Sequence, residues 1–208
     1  LSLPFSIHRF TQQTHTTTPI HTHTLSPFFF TTTGTRDGKL KFQSEDRQKL
    51  GLVMEFYAWE NMALGYHDKA HYRSNRFLMN NTVLKFETEE RIKNFDIRPN
   101  NPHLTTKSFS GGNQQKIVLA REIEQNPNLL IVGQPTRGVD IGAIEFIHKR
   151  IIQLRDSGKA VILISVELDE ILSLSDRILV MFDGKIMGEK MAQNTNEKEL
   201  GLLMAGIG

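Results

Sequence analysis

Phe109-Ser110-Gly111-Gly112-Asn113-Gln114-Gln115 is the stretch on which the fold of this chain turns. A hydroxyl residue and two residues without side chains stand before Lys116-Ile117-Val118-Leu119-Ala120-Arg121. That order predicts a helix opening after Ser110-Gly111-Gly112, running to Gln125 and closed by Asn126-Pro127. The glycines permit positive φ and let another backbone or a ligand come close. The unpaired N–H groups and the positive end of the helix make a ready anion site. Ser110 adds a hydroxyl donor and Asn113 a side-chain amide. The same residues also read as a plain helix cap, and local physics alone leaves both readings open.

Downstream the pattern alternates. Leu129 to Val132 is a short, nearly continuous apolar run, suited to a buried strand covered on both faces, and Gly133-Gln134-Pro135 breaks it. Ile144, Ile147, Ile151 and Leu154 recur at helical spacing after Gly142, with Gly158 as a stop. Ala160 to Ser165 repeats the buried-strand pattern, and Glu167 to Leu174 reads as a short helix. Arg177 to Phe182 and Lys185 to Glu189 flank Asp183-Gly184, a hairpin turn. Asn196 to Ala205 reads as a weak terminal helix. Helix and strand in alternation predict an α/β fold, a parallel sheet with helices on its faces.

Upstream, the polar and aromatic stretch Glu45 to Tyr72 holds a short helix near Tyr57 to Leu64. A second helix, Thr82 to Phe95, would put Val83, Phe86, Ile92 and Phe95 on one face. Pro99 and Pro102 then enforce a loop.

Residues 1–35 are different material. They carry no Asp or Glu, one basic residue (Arg9), eleven threonines and four of the eight histidines. No periodicity persists there, and the expectation is a low-complexity leader, disordered or non-native, ahead of one truncated domain over 36–208. It lacks the basic start and apolar run of a signal peptide, and the absent initiating Met suggests a fragment or an unusual gene boundary. His21 and His23 read as solvated, not as metal ligands. Gly34-Thr35-Arg36-Asp37-Gly38-Lys39-Leu40 mimics a phosphate loop but has three residues between its glycines instead of four, and Leu40 offers no hydroxyl after the lysine.

Composition bounds the rest. Net charge is +2 on a chain that is 23% charged, which excludes a polybasic nucleic-acid arm or a strongly acidic tail. The 38% hydrophobic content, about 45% with the 15 glycines counted, sits at the low end for a globular domain. Zero cysteines exclude disulfides, a thiolate nucleophile and Cys-ligated zinc. The longest apolar runs fall far short of the ~18 residues that cross a bilayer.

The 109–115 segment resembles the signature motif of ABC-transporter ATPases, and the motifs after it follow that family's order. They are the strand Leu129-Leu130-Ile131-Val132, then Pro135-Thr136-Arg137-Gly138-Val139-Asp140, Leu163-Ile164-Ser165 and Ser175-Asp176-Arg177-Ile178. Ser44-Glu45-Asp46-Arg47, Gly51-Leu52-Val53 and Glu60-Asn61-Met62 are also similar to it. The likeness covers roughly 43–208 and is greatest to the second nucleotide-binding domain of sugar and nucleoside importers, with the Gln134-to-Gly138 and Gly142-to-Glu145 stretches pointing to the nucleoside branch. It implies a partial P-loop NTPase (RecA-like) core with a helical signature subdomain, the first strand and phosphate loop missing.

By the same resemblance, the Walker B aspartate falls on Gly133, the catalytic glutamate on Gln134 and the switch histidine on Val166. The coupling-loop glutamine falls on Glu45, and Asp140 takes the place of the D-loop aspartate that contacts the partner domain. An amide holds a water but accepts no proton from it at neutral pH. Three such losses on one face imply no catalytic residues and no metal site of its own. The survivors, Ser110, Gly111, Gly112, Asn113 and Gln114, would act on Mg-ATP held by a second nucleotide-binding domain, in trans only. The implied partners are that domain and membrane permease subunits, placing the chain peripherally on the cytoplasmic face of the membrane. Two rivals stay open: a non-enzymatic remnant that binds permease or partner without nucleotide, and an autonomous ATPase.

Blander readings accompany the other candidates. Asp169-Glu170 reads as a solvated pair, His148 as a surface residue, and Trp59 with Tyr57 as packing before a membrane-subunit dock. Asp140 reads equally as a helix-start acid, and Arg137 as an interface or turn charge.

Overall fold

The computed structural model describes residues 5–6, 40–43, 46–75 and 78–207. Two short strands come first, β1 (Phe5–Ser6) and β2 (Leu40–Gln43). One wide helical turn, Arg47–Gly51, follows. Then come α1 (Ala58–Ala63), α2 (Asn81–Asn94) and α3 (Gly111–Ile123). The remaining chain alternates: β3 (Leu129–Gly133), α4 (Ile141–Asp156), β4 (Ala160–Ile164) and α5 (Leu168–Leu174). It closes with β5 (Arg177–Phe182), β6 (Lys185–Met191) and α6 (Glu197–Met204).

The helix starts are chemically marked. Asn80, Ser110, Asp140 and Asn196 each accept a hydrogen bond from the backbone N–H three residues on, which satisfies a donor the helix itself leaves unpaired. The hairpin turn has Asp183 at φ 46° and Gly184 at φ 75°, the mirror-image turn that matches strand twist.

Strands β2, β3 and β4 form a parallel sheet in that order, with Gln43 opposite Val132 and Gly133 opposite Ile164. A second sheet orders β1, β5 and β6, all antiparallel. Two apolar layers meet at α3. Leu119 joins Leu130, Val132, Val161 and Leu163 of the sheet and Ile147, Ile151 and Leu154 of α4. Ile117, Val118 and Ala120 face the other way, into Ala58, Met62, Ile92, Phe95 and Phe109. A helix sandwiched between a sheet and a helical unit must be buried almost all round, and α3 is.

Two features depart from the sequence expectation. Strand β2 was not foreseen, because Lys41 interrupts it. The lysine is nevertheless buried, its Nζ 4.4 Å from the centre of the Tyr66 ring. Burial lowers its pKa, with Glu122 opposing the shift. On α2 the inward face is Leu84, Thr88 and Ile92, while Phe86 stays 61% exposed. The Thr88 hydroxyl donates to the Leu84 carbonyl at 2.7 Å, which lets a polar residue occupy the inner face.

Candidate functional site

The first turn of α3 is a capped, partly exposed helix start. Ser110 caps it from an extended conformation (φ −60°, ψ 160°), and its Oγ accepts from the Asn113 Nδ2 amide at 2.8 Å. Asn113 Oδ1 in turn accepts from the Arg98 N–H at 2.7 Å, so the 95–98 loop holds the amide in place. Ser110 is exposed and Gly111 and Asn113 half-buried, while Gly112 and Gln114 are buried. Gln114 turns inward: its Nε2 donates to the Phe109 carbonyl at 2.9 Å and its Oε1 accepts from Gln48 at 3.2 Å. The early N–H groups of α3 have no partner within the helix, as at any helix start.

The two glycines accommodate the loop between β3 and α4. A Cβ on Gly111 would lie 2.6 Å from Arg47 Nη2 and 2.8 Å from the Gly138 carbonyl. A Cβ on Gly112 would lie 2.6 Å from Asp140 Oδ2 and 2.9 Å from the Ala143 Cβ. The close approach expected at these positions is therefore made here by the chain's own loop. Asp140 sits at the foot of α4, accepting from the Ala143 N–H at 2.9 Å. Arg47 reaches across, Nη1 donating to the Arg137 carbonyl at 2.8 Å. Burial lowers the Arg47 pKa, and Asp46 opposes that shift. Arg137 itself is exposed.

At the C-terminal ends of the parallel strands, where ligands settle in such sheets, the β3–β4 register sets Gly133 opposite Ile164, with Gln134 and Ser165-Val166 following on the two chains. Gln134 is buried at φ 47°, its N–H donating to the Ile164 carbonyl at 2.7 Å. Val166 is half-buried. Gly133 has no side chain, Gln134 offers an uncharged amide and Val166 a hydrocarbon, so these three residues do not suit a magnesium ion. Among the described residues no group of three or more His, Cys, Asp or Glu could hold a metal. Glu45 lies outside the described residues.

Behind that edge is a polar cluster that sequence reasoning missed. Glu170 is 3% exposed, not solvated as expected, and its Oε1 meets Thr136 Oγ1 at 2.9 Å and His148 Nε2 at 3.0 Å. Its Oε2 is buried without a hydrogen-bond partner. His148 is correspondingly drawn off the surface, its side chain 22% exposed. The only hint was its place beside Ile147 on the buried flank of α4. Trp59 packs with Ala63, Tyr66, Tyr72 and Leu84, as the bland reading held, while Tyr57 stays 44% exposed.

No protein-family model matches the chain. It is 51% identical to the nucleoside import ATP-binding protein NupA of Lactococcus lactis subsp. cremoris over 162 residues, 78% of this chain and 32% of that protein. It is 48% identical to the guanosine import ATP-binding protein NupO of Bacillus subtilis, with the same 78% and 32% covered. To the ribose import ATP-binding protein RbsA of Clostridium perfringens it is 38% identical over 166 residues, 80% of this chain and 33% of that one. The chain thus spans about a third of the length of the curated relatives it matches. Its fold matches a dimeric, post-hydrolysis ATP-binding cassette, MJ0796, bound to ADP and Pi. There the TM-score is 0.58 and identity 22%, over 76% of this chain and 64% of that one. A nucleotide-free cassette from an ABC transporter gives a TM-score of 0.60 at 20% identity, covering 81% and 66%.

Proposed function

The chain has the ATP-binding-cassette fold and is a homologue of ABC import ATP-binding proteins, and from that premise we propose that it serves nucleoside or sugar uptake by completing a partner's ATP site. In this reading Ser110, Gly111, Gly112 and Asn113 face the phosphates of an Mg-ATP seated in a second cassette, and Gln114 holds the loop behind them. The observation that carries it is a contrast within one molecule. An exposed, capped helix start stands ready for an anion, while the strand ends at Gly133, Gln134 and Val166 present no carboxylate.

The chemistry is electrostatic. Orphan N–H groups, the helix dipole and the Ser110 hydroxyl would stabilise charge on the transferring phosphoryl group without giving or taking a proton. Bound nucleotide would supply the phosphoanhydride, and the partner the magnesium. Asp140, one helix start away, would lie at the same seam. Leu50, Val53, Phe56 and Tyr57 are exposed apolar side chains ahead of α1, suited to a permease helix, with Glu45 leading into them. No helix among the described residues is long and apolar enough to cross a membrane. In this reading, membrane attachment is peripheral, on the cytoplasmic face, through permease subunits.

Phosphate release by a tandem protein carrying Ser110→Arg tests this. The variant is expected to lose about a hundredfold in turnover, the scale of removing one preorganised donor. Unchanged turnover would refute the proposal.

A further inference from the structure

Arg47 joins three pieces of chain at the face just described. The turn that carries it, Arg47–Gly51, is tied to α3 twice. Gln48 Nε2 donates to Gln114 Oε1 at 3.2 Å, and Arg121 Nη1 donates to the Gly51 carbonyl at 2.9 Å. From that base the guanidinium crosses to the other loop and donates to two successive carbonyls, Arg137 at 2.8 Å and Gly138 at 3.4 Å. Its Nη2 end abuts Gly111, where a Cβ would come within 2.6 Å of Nη2. A planar fork reaches two adjacent acceptors at once; an ammonium is a point donor on a flexible stem.

The dipole of α3 does not favour this placement. A cation at the N-terminal end of a helix opposes the macrodipole. It makes sense where an anion is to arrive and where two loops must keep a set spacing.

We propose that Arg47 is a positioning residue: it fastens the 137–138 turn to the first residue of α3, so that the 110–113 and 138–140 surfaces meet a partner cassette as one rigid face. This rests on the in-trans reading above.

The test uses the full chain mixed with an intact cassette from a nucleoside importer that has its own phosphate loop, following phosphate release against ATP and chain concentration. Arg47→Ala is expected to lower maximal stimulated turnover about tenfold or more, the scale of a displaced positioning group. The KM for ATP, the chain concentration at half-maximal stimulation and the melting temperature should hardly move. Arg47→Lys, which keeps the charge but not the fork, should recover only part. Wild-type turnover in Arg47→Ala, or a loss that appears only in melting or half-maximal concentration, overturns the proposal. Absence of stimulation by the wild-type chain overturns the in-trans reading instead.

Amide hydrogen exchange on the chain alone reads the fastening independently. Arg47→Ala, or Arg47→Lys if the alanine variant does not fold, should speed exchange at 137–140 and at the first turn of α3 together. Unchanged exchange at both sites overturns the proposal whatever the turnover.

Discussion

Burying a charged side chain costs far more than burying a neutral one, so the surroundings of Glu170 carry more information than its place in the chain. It is held by Thr136 from the loop after β3 and His148 from α4, both distant in sequence. Glu170→Ala should remove the shared acceptor and leave the Thr136 hydroxyl unpaired, a loss of about 2 kcal/mol. A urea midpoint within error of wild type would contradict this. Asp96 offers a pH test. Its pKa is lowered, first by the hydrogen bond from Arg98, which desolvation opposes, and further by the charges of Lys116 and Arg98. A depressed carboxylate stabilises the fold above its unfolded pKa, about 4, and that contribution is lost as pH falls through the folded value. The group is largely exposed, so the effect is small and salt-sensitive. Arg98→Ala should flatten the urea midpoint between pH 5 and 3, within the range about 4 ± 1 where the carboxylate titrates; an undiminished slope would show that another group is responsible.

At the scale of elements, the starts of α3 and α4 are fitted to each other through glycine, and the two glycines of similar composition should respond in opposite ways. Gly112→Ala would push a Cβ to 2.6 Å from Asp140 Oδ2 and 2.9 Å from Ala143. Separating the helices should cost about 1–3 kcal/mol. Gly142, in the first turn of α4, has its nearest neighbour at 3.7 Å. Gly142→Ala should therefore be neutral or stabilise by up to about 1 kcal/mol, since alanine loses less backbone freedom in a helix. Thermal melts of the two variants decide it, and a destabilised Gly142→Ala would mean that α4 starts differently. Elements with local signals were legible in advance: the capped start at Ser110, the Asp183-Gly184 hairpin and the spaced isoleucines of α4. Strand β2 was not, because its buried Lys41 is tolerated only by the Tyr66 ring and Glu122, which come from other segments. Nor was the inner face of α2, where a threonine bonded to its own helix displaced a phenylalanine.

For the whole molecule, the strand arrangement bears on behaviour in solution. Among the described residues β4 ends the parallel sheet, with β3 on one side and no strand partner on the other. The second sheet begins at β1, two residues long, paired to β5. An apolar strand, Ala160–Ile164, with no strand partner on its far side among the described residues is a template for pairing with another chain. The isolated chain should therefore associate or melt with low cooperativity. Sedimentation showing a monomer, together with a sharp two-state melt, would refute that expectation.

The order of helices and strands from α3 onward, the capped helix start at Ser110 and the absence of carboxylates at 133, 134 and 166 were all determined by sequence, because each depends on residue type and near neighbours. Only the tertiary structure decided that Gly111 and Gly112 receive the chain's own 138–143 loop, that Arg47 spans two carbonyls ninety residues away and that Glu170 is buried with His148. Those contacts join segments brought together by packing, and no local pattern encodes the distance between them.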